Sequence, residues 1–327
     1  MPLLSRLALL SASRLALSAA LSAAPTPLRA LTAKVADLNS ALTNPERAAG
    51  ALPFVVDDVP LGLVLPEVAD ALAAHCGAAF VVSPDRVGLT AAVEGRDPAG
   101  RTEAVNAALL ELREAGLVKG WRDENYRCCA SFDTPPALDV ERSVASNLGV
   151  RAYGVHVNGY VPATGKIWVA RRSPQKPTYP GMLDNVVAGG LTAGLLPSAC
   201  VVKECFEEAG VPEALALEAR PAGVLSYCQY TADGGGGGGK LPGVKQDTLF
   251  VYDLPLPEDF VPVPVDGEVE GFETMTFDEV AHSIASSDEW KPNCAGVVVD
   301  FLVRRGHLSP DEAGYCGLLT ELRRAAV

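Results

Sequence analysis

The sequence predicts an α/β protein of two units, a small α+β domain over residues 50–134 and a larger α/β domain over 138–327, behind a leader spanning 1–40. Three observations carry this. Short apolar, β-branched runs alternate with longer helix-like stretches along the chain. Thr134-Pro135-Pro136 interrupts that alternation and reads as a linker. One helix in the second unit is punctuated at both ends, by Gly189-Gly190 and Pro197 before it and by Gly210 and Pro212 after it. At 327 residues and 48% hydrophobic, the chain can bury a core for each unit.

Residues 1–36 contain Arg6, Arg14, Arg29 and Lys34, many Ser, Ala and Leu, and no acidic residue. That is the composition of an organellar transit peptide, expected to be disordered, with a secretory signal as the alternative reading. Arg14 interrupts the best apolar run, so no membrane span is expected. The chain carries a net charge of −13, and losing the leader would make it more acidic still. A nucleic-acid partner, which needs a basic face, is therefore not expected. The eight cysteines lack metal-ligand spacing and read as reduced and mostly buried.

In the first unit, Phe54-Val55-Val56 and Phe80-Val81-Val82 read as strands, with helices over Pro66–His75 and Thr102–Ala115. Thr102 is the expected N-cap and Gly116 the terminator of the second helix. The string Trp121-Arg122-Asp123-Glu124-Asn125-Tyr126 reads either as a ligand wall or as an inter-domain seam. Trp121 and Tyr126 are its candidate flat surfaces for a heteroaromatic ring.

The second unit begins with a helix-like Val140–Leu148. A hairpin follows, Ala152–Val161 and Lys166–Ala170, turned by Pro162-Ala163-Thr164-Gly165. His156 on its first strand reads as a core or edge residue. Arg171, Arg172 and Lys176 are a basic cluster in an acidic chain, suited to phosphate oxygens, and Asp184 lies shortly after as a further substrate candidate. Beyond the punctuated helix come strands Gly223–Tyr230 and Thr248–Asp253. The loop between them holds the glycine run 234–239, which reads as a flexible insert. Glu268 and Glu270 sit two apart on a turn feeding a strand, so either could join a metal site or act as base. Helix-like Thr276–Ser286, then Cys294–Val303, and a closing helix over Asp311–Arg324 that covers the core complete the chain.

The chemistry is concentrated on the punctuated helix. Glu204, Glu207 and Glu208 stand at i, i+3 and i+4 and share one face, where like charges destabilise a bare helix by roughly 0.2–0.5 kcal/mol per pair. A hard divalent cation that binds carboxylates together with phosphates would favour them. A solvated acidic face relieved by Lys203 is the alternative. The span from Gly189 to Val211 resembles the Nudix box, G-x5-E-x7-R-E-U-x-E-E-x-G-U with U aliphatic. Gly189, Glu204, Glu207, Glu208, Gly210 and Val211 fall in register. Leu195 takes the place of the first glutamate and Lys203 that of the arginine.

Over about residues 52–325 the chain resembles a Nudix subfamily with an extra N-terminal domain. That subfamily is similar to the N-terminal half of fungal thiamine diphosphokinases and to plant plastid Nudix hydrolases. The resemblance rests on Trp121–Tyr126, Tyr153-Gly-Val-His-Val-Asn-Gly-Tyr160, Pro180–Asn185, Lys203–Gly210, Asp266–Glu270 and Asp300–Arg304. It implies an α/β/α sandwich around a mixed sheet, and Mg²⁺ dependence with Mn²⁺ as a substitute. It further implies a metal site drawn from Gly189, Glu204, Glu207, Glu208, Glu268 and Glu270. The implied reaction is hydrolysis of a small-molecule diphosphate, oxidised thiamine diphosphate cut to the monophosphate and phosphate. Broader action on ADP-ribose-like substrates, or diphosphate sensing without cleavage, are the alternatives. The expected location is the chloroplast, or else the mitochondrion, as a monomer or homodimer.

Overall fold

The computed structural model describes residues 27–234 and 238–325. The first element is helix α1 (Pro27–Leu38), whose Leu28, Leu31, Val35 and Leu38 are at most 1% exposed. The leader expected to run to residue 40 is corrected here: from Pro27 onward its apolar residues recur at helical spacing and form part of a core. Residues 1–26 lie outside the described residues.

Strands β1 (Leu52–Val56), β2 (Val59–Val64), β3 (Phe80–Val82) and β4 (Val87–Leu89) form a sheet of order β2-β1-β4-β3. Helices α2 (Pro66–His75) and α3 (Pro98–Glu114) pack on it, with Phe54, Leu72, Leu109 and Leu112 fully buried. The N-cap of α3 is Asp97, whose carboxylate accepts from Gly100 N at 2.8 Å, rather than Thr102. Thr102 Oγ1 instead donates to Pro98 O and accepts from Asp139 N, so it ties α3 to the chain beyond. Gly116 does terminate the helix region, with φ +66°.

Strands β5 (Asn125–Cys128) and β6 (Leu138–Glu141) form an antiparallel pair. Thr134-Pro135-Pro136 therefore closes a hairpin and does not separate domains. The helix expected over Val140–Leu148 is strand β6 followed by a short 3₁₀ turn, Arg142–Val144. Val140, Val144 and Leu148 join the first core, which also takes Cys228, Leu241 and Val244 from the second unit.

The second sheet is mixed. Strands β7 (Arg151–Val161), β8 (Lys166–Arg172), β11 (Arg220–Thr231), β12 (Gly243–Pro255) and β13 (Val269–Thr276) run in the order β11-β12-β7-β8-β13. Strand β12 is parallel to β7 and the other pairs are antiparallel. Short strands β9 (Leu183–Asn185) and β10 (Val187–Gly190) pair with β8 and β7. Alternating side chains split between two cores, as a sheet buried on both faces requires. Ile167, Val169, Leu249 and Val251 face α1 and helices α5 (Phe277–Ser286), α6 (Pro292–Arg304) and α7 (Tyr315–Leu322). Val155, Val157, Tyr252 and Leu254 face helix α4 (Pro197–Ala209). This is the expected α/β/α sandwich. Among the described residues no helix is long and apolar enough to cross a membrane.

Candidate active site

Helix α4 starts with Pro197 in its first turn and ends at Gly210, which adopts the left-handed conformation at φ +61°, as the local sequence dictates. Its acidic face is aimed at β10. A Cβ added to Gly189 would lie 2.4 Å from Glu204 Cδ and 2.8 Å from its Oε2, so only glycine lets that carboxyl settle on the strand. Glu208 Oε2 accepts from Ala188 N at 2.9 Å. Lys203 Nζ reaches Glu204 Oε1 at 3.0 Å and Glu207 Oε2 at 2.7 Å.

Glu204 and Glu208 are held where charge is unfavourable. Burial, joined by the nearby Asp184, Glu204 and Glu268 and opposed by the Ala188 N–H, pushes Glu208 up to about 8. Burial also raises Glu204, although Lys203 opposes it. Oxygen-only donors gathered on one helix face, with Glu208 lacking a cationic partner among the described residues, suit a hard divalent cation, so the residues present fit the group the sequence implies. Glu268 belongs to the same electrostatic cluster. Burial would raise it, but its ion pair with Lys176, with Arg142 and Arg172 nearby, keeps it below the usual carboxylate range. Glu270 is exposed at the bulge where β13 slips register against β8.

The basic cluster is distributed differently from its expected phosphate-facing role. Arg172 is buried and donates to Asp184 Oδ2, Tyr179 O and Thr178 O. Arg171 donates to Gly181 O and Glu273, and Lys176 is held by Glu268. Asp184 is 4% exposed and holds Arg172 at 2.9 Å and Lys291 at 3.3 Å. Burial would raise it, yet Lys291 and Arg172 prevail and hold it at about 2. His156, Asp184 and Cys294 bring ligand-type atoms within 4.8 Å of one another. Asp184 already carries two cationic partners there, which opposes a metal ion. His156 is buried as read from its strand, with Nδ1 2.8 Å from Asn185 Oδ1.

A cleft runs from Gly189 and Gly190 along the seam between the two units. Its walls include Tyr126, Arg142 and Lys119 from the first unit and Tyr153, His156, Lys245 and Lys291 from the second. Tyr126 is thus placed beside the acidic cluster. Trp121 is not among the lining residues; its Nε1 donates to Asp123, and Arg113 lies over its ring. Arg142, Lys119 and Glu124 were not singled out from the sequence. Only Glu124 had a local signal, as part of the 121–126 string.

Residues 152–294 match the NUDIX domain family, and residues 31–152 match a domain of unknown function, DUF4743. Nudix hydrolase 20, chloroplastic, of Arabidopsis thaliana is 42% identical over 73% of this chain and 63% of its own length. Nudix hydrolase 24, chloroplastic, of the same plant is 40% identical over 69% of this chain and 60% of its own. The chain thus spans about three fifths of the length of these curated relatives. A crystal structure of a Deinococcus radiodurans protein aligns at 25% identity over 45% of this chain and 81% of that one, with a TM-score of 0.36.

Proposed function

We propose, from the match of residues 152–294 to the NUDIX domain family and of 31–152 to DUF4743, that the chain is a Mg²⁺-dependent hydrolase of small-molecule diphosphates. The observation that carries the reading is the convergence of Glu204 and Glu208 on the Gly189 and Ala188 backbone, with Glu207 on the same helix face. Glu204, Glu207 and Glu208 would hold the cation, with Gly189 keeping the strand close to it. A divalent cation held by these glutamates would supply charge neutralisation of the diphosphate oxygens and a more acidic water. Glu268, held ionised by Lys176, is the proton acceptor for the attacking water, since a base must be unprotonated and within reach of the cluster. Mn²⁺ would serve in place of Mg²⁺.

For the substrate we propose oxidised thiamine diphosphate, cut to the monophosphate and phosphate. The long set of motifs described above supports this. So does a cleft with Tyr126 and Tyr153 in its walls and the polar groups of His156 and Asn293 beside them, able to contact a substituted heteroaromatic ring. The chloroplastic names of the relatives and the basic start of the chain support a plastid location. The leader would then be cut before Pro27, where the α1 helix begins. Phosphate release with Mg²⁺ is the test, on oxothiamine diphosphate, oxythiamine diphosphate, thiamine diphosphate and ADP-ribose. The oxidised thiamine forms are expected to give the highest kcat/KM. A preference for ADP-ribose replaces the thiamine reading with broader specificity, and no release from any of them removes the hydrolase reading.

A further inference from the structure

A diphosphate brings several negative charges to a cleft whose Ala188 and Gly189 backbone already carries Glu208 and Glu204 against it. Beyond a cation it needs positive side chains that are free to meet it. Most basic groups of the Nudix domain near the site are committed: Lys203 to Glu204 and Glu207, Lys176 to Glu268, Arg172 and Lys291 to Asp184, and Lys245 to Asp247. The first domain adds a guanidinium that is only partly committed. Arg142 lines the cleft beside Gly189 and Gly190 and is exposed to it. Its NH1 donates to Glu124 Oε2 at 2.7 Å, and its Nε and NH2 have no hydrogen-bond acceptor among the described residues. Lys119 and Arg122, on the same wall, are exposed, and their side chains have no carboxylate partner among the described residues.

The wall is also fastened to the loop that leads into α4. Glu124 Oε1 accepts from Thr192 Oγ1 at 2.7 Å while Oε2 holds Arg142, and Asn125 O accepts from Ala193 N at 3.1 Å. Arg142 N donates to Glu124 O at 2.8 Å, closing the arrangement through the β5–β6 hairpin. The Arg142 guanidinium lies 5.5 Å from the centre of the Tyr126 ring. A Cβ on Gly190 would sit 2.3 Å from Tyr126 Oη and 3.5 Å from Arg142 Cζ, so glycine is what lets the two domains meet at this depth. Leu195, where the box motif has a glutamate, packs instead against the core around α4. The loop therefore takes a carboxylate contact from the other domain.

We propose that the DUF4743 domain completes the active site, with Arg142 binding a phosphate oxygen of the diphosphate and Glu124 positioning both Arg142 and the loop of residues 190–196. This rests on the hydrolase reading above. It gives the domain a part in recognising the phosphoanhydride class of substrate. A guanidinium with two unclaimed nitrogens suits the forked geometry of phosphate oxygens.

The test uses the full chain with Mg²⁺ and methylenediphosphonate, titrated by calorimetry, alongside steady-state kinetics on the substrate that wild type cleaves. Arg142→Gln keeps an amide for Glu124 but loses the charge. It is expected to weaken diphosphonate binding about tenfold or more and to raise KM, with an unchanged melting temperature. Arg142→Lys should restore part of the binding. Glu124→Ala should lower kcat more than it raises KM, since it shifts the loop without removing the guanidinium. Wild-type affinity and KM in a folded Arg142→Gln would overturn the proposal while leaving the hydrolase reading intact. A wild-type protein that neither binds the diphosphonate nor cleaves any diphosphate would overturn both.

Discussion

Glu208 offers a sharp test of why three carboxylates stand together, because its burial makes the metal-free fold sensitive to pH in an uncommon direction. Burial first, then the neighbouring Asp184, Glu204 and Glu268, raise it from an ordinary 4.5 to about 8. Between those values the folded protein keeps the proton and the unfolded chain has lost it. The folded state binds more protons there, so stability falls as pH rises. The gap corresponds to about 4–5 kcal/mol, present in full below pH 4.5 and lost as pH climbs through 8. Glu208→Gln removes the titration, and its amide oxygen can still accept from Ala188 N. Urea unfolding of EDTA-treated protein at pH 5 and pH 8 should show wild type losing several kcal/mol relative to Glu208→Gln. Mg²⁺ should reverse the slope in wild type only, because a cation favours the ionised carboxylate. Activity should be abolished in the variant. Equal pH slopes for the two metal-free proteins would refute the argument that this carboxylate is held against its charge.

Leu31→Ala, which empties a fully buried position of α1, should cost about 2–5 kcal/mol and lower the melting temperature by several degrees. Deleting residues 1–40, which removes α1, should destabilise the second domain, as thermal melts of the truncated and full chains would show. Gly190→Ala should lower kcat/KM by about tenfold or more by forcing Tyr126 Oη off the loop, and adding Tyr126→Phe should recover much of it in a double-mutant cycle. Asp184→Asn strands Lys291 and Arg172 and should cost about 3–5 kcal/mol at neutral pH. Asp184 is held at about 2, so its contribution is complete above its ordinary 3.8 and is lost as pH falls through 2. The two proteins should therefore converge in urea titrations toward pH 2.

Helix α4 was legible to the residue because everything that bounds it is local: Pro197 at its start, Gly210 in the left-handed conformation at its end. The strands of the hairpin β7–β8 were legible for the same reason. Where the reading failed, two local patterns competed. Residues 27–40 have a leader's composition, but Leu28, Leu31, Val35 and Leu38 also repeat at helical spacing, and the spacing decides because those side chains are buried. Thr134-Pro135-Pro136 has the residues of a linker and equally those of a hairpin loop. Only the pairing of Tyr126 with Val140, a contact between strands, separates the two readings.

The site divides along the same line. The acidic triad on one helix face could be read from spacing, since α4 alone sets it. The basic residues could not, because a cation's role depends on which carboxylate has already claimed it, and those partners come from distant strands. Arg171, Arg172 and Lys176 look like a phosphate cradle in sequence, yet Glu273, Asp184 and Glu268 occupy them in the fold. Arg142 stands in a short turn after an unremarkable strand, with nothing local to mark it. It reaches the cleft because Glu124 draws the β5–β6 hairpin onto Thr192, which places a guanidinium with unclaimed donors next to Gly189 and Gly190. In an acidic chain, a guanidinium that keeps donors beyond its one ion pair is available to an anionic substrate, and Arg142, held to Glu124 through NH1, is such a group on the wall of the cleft.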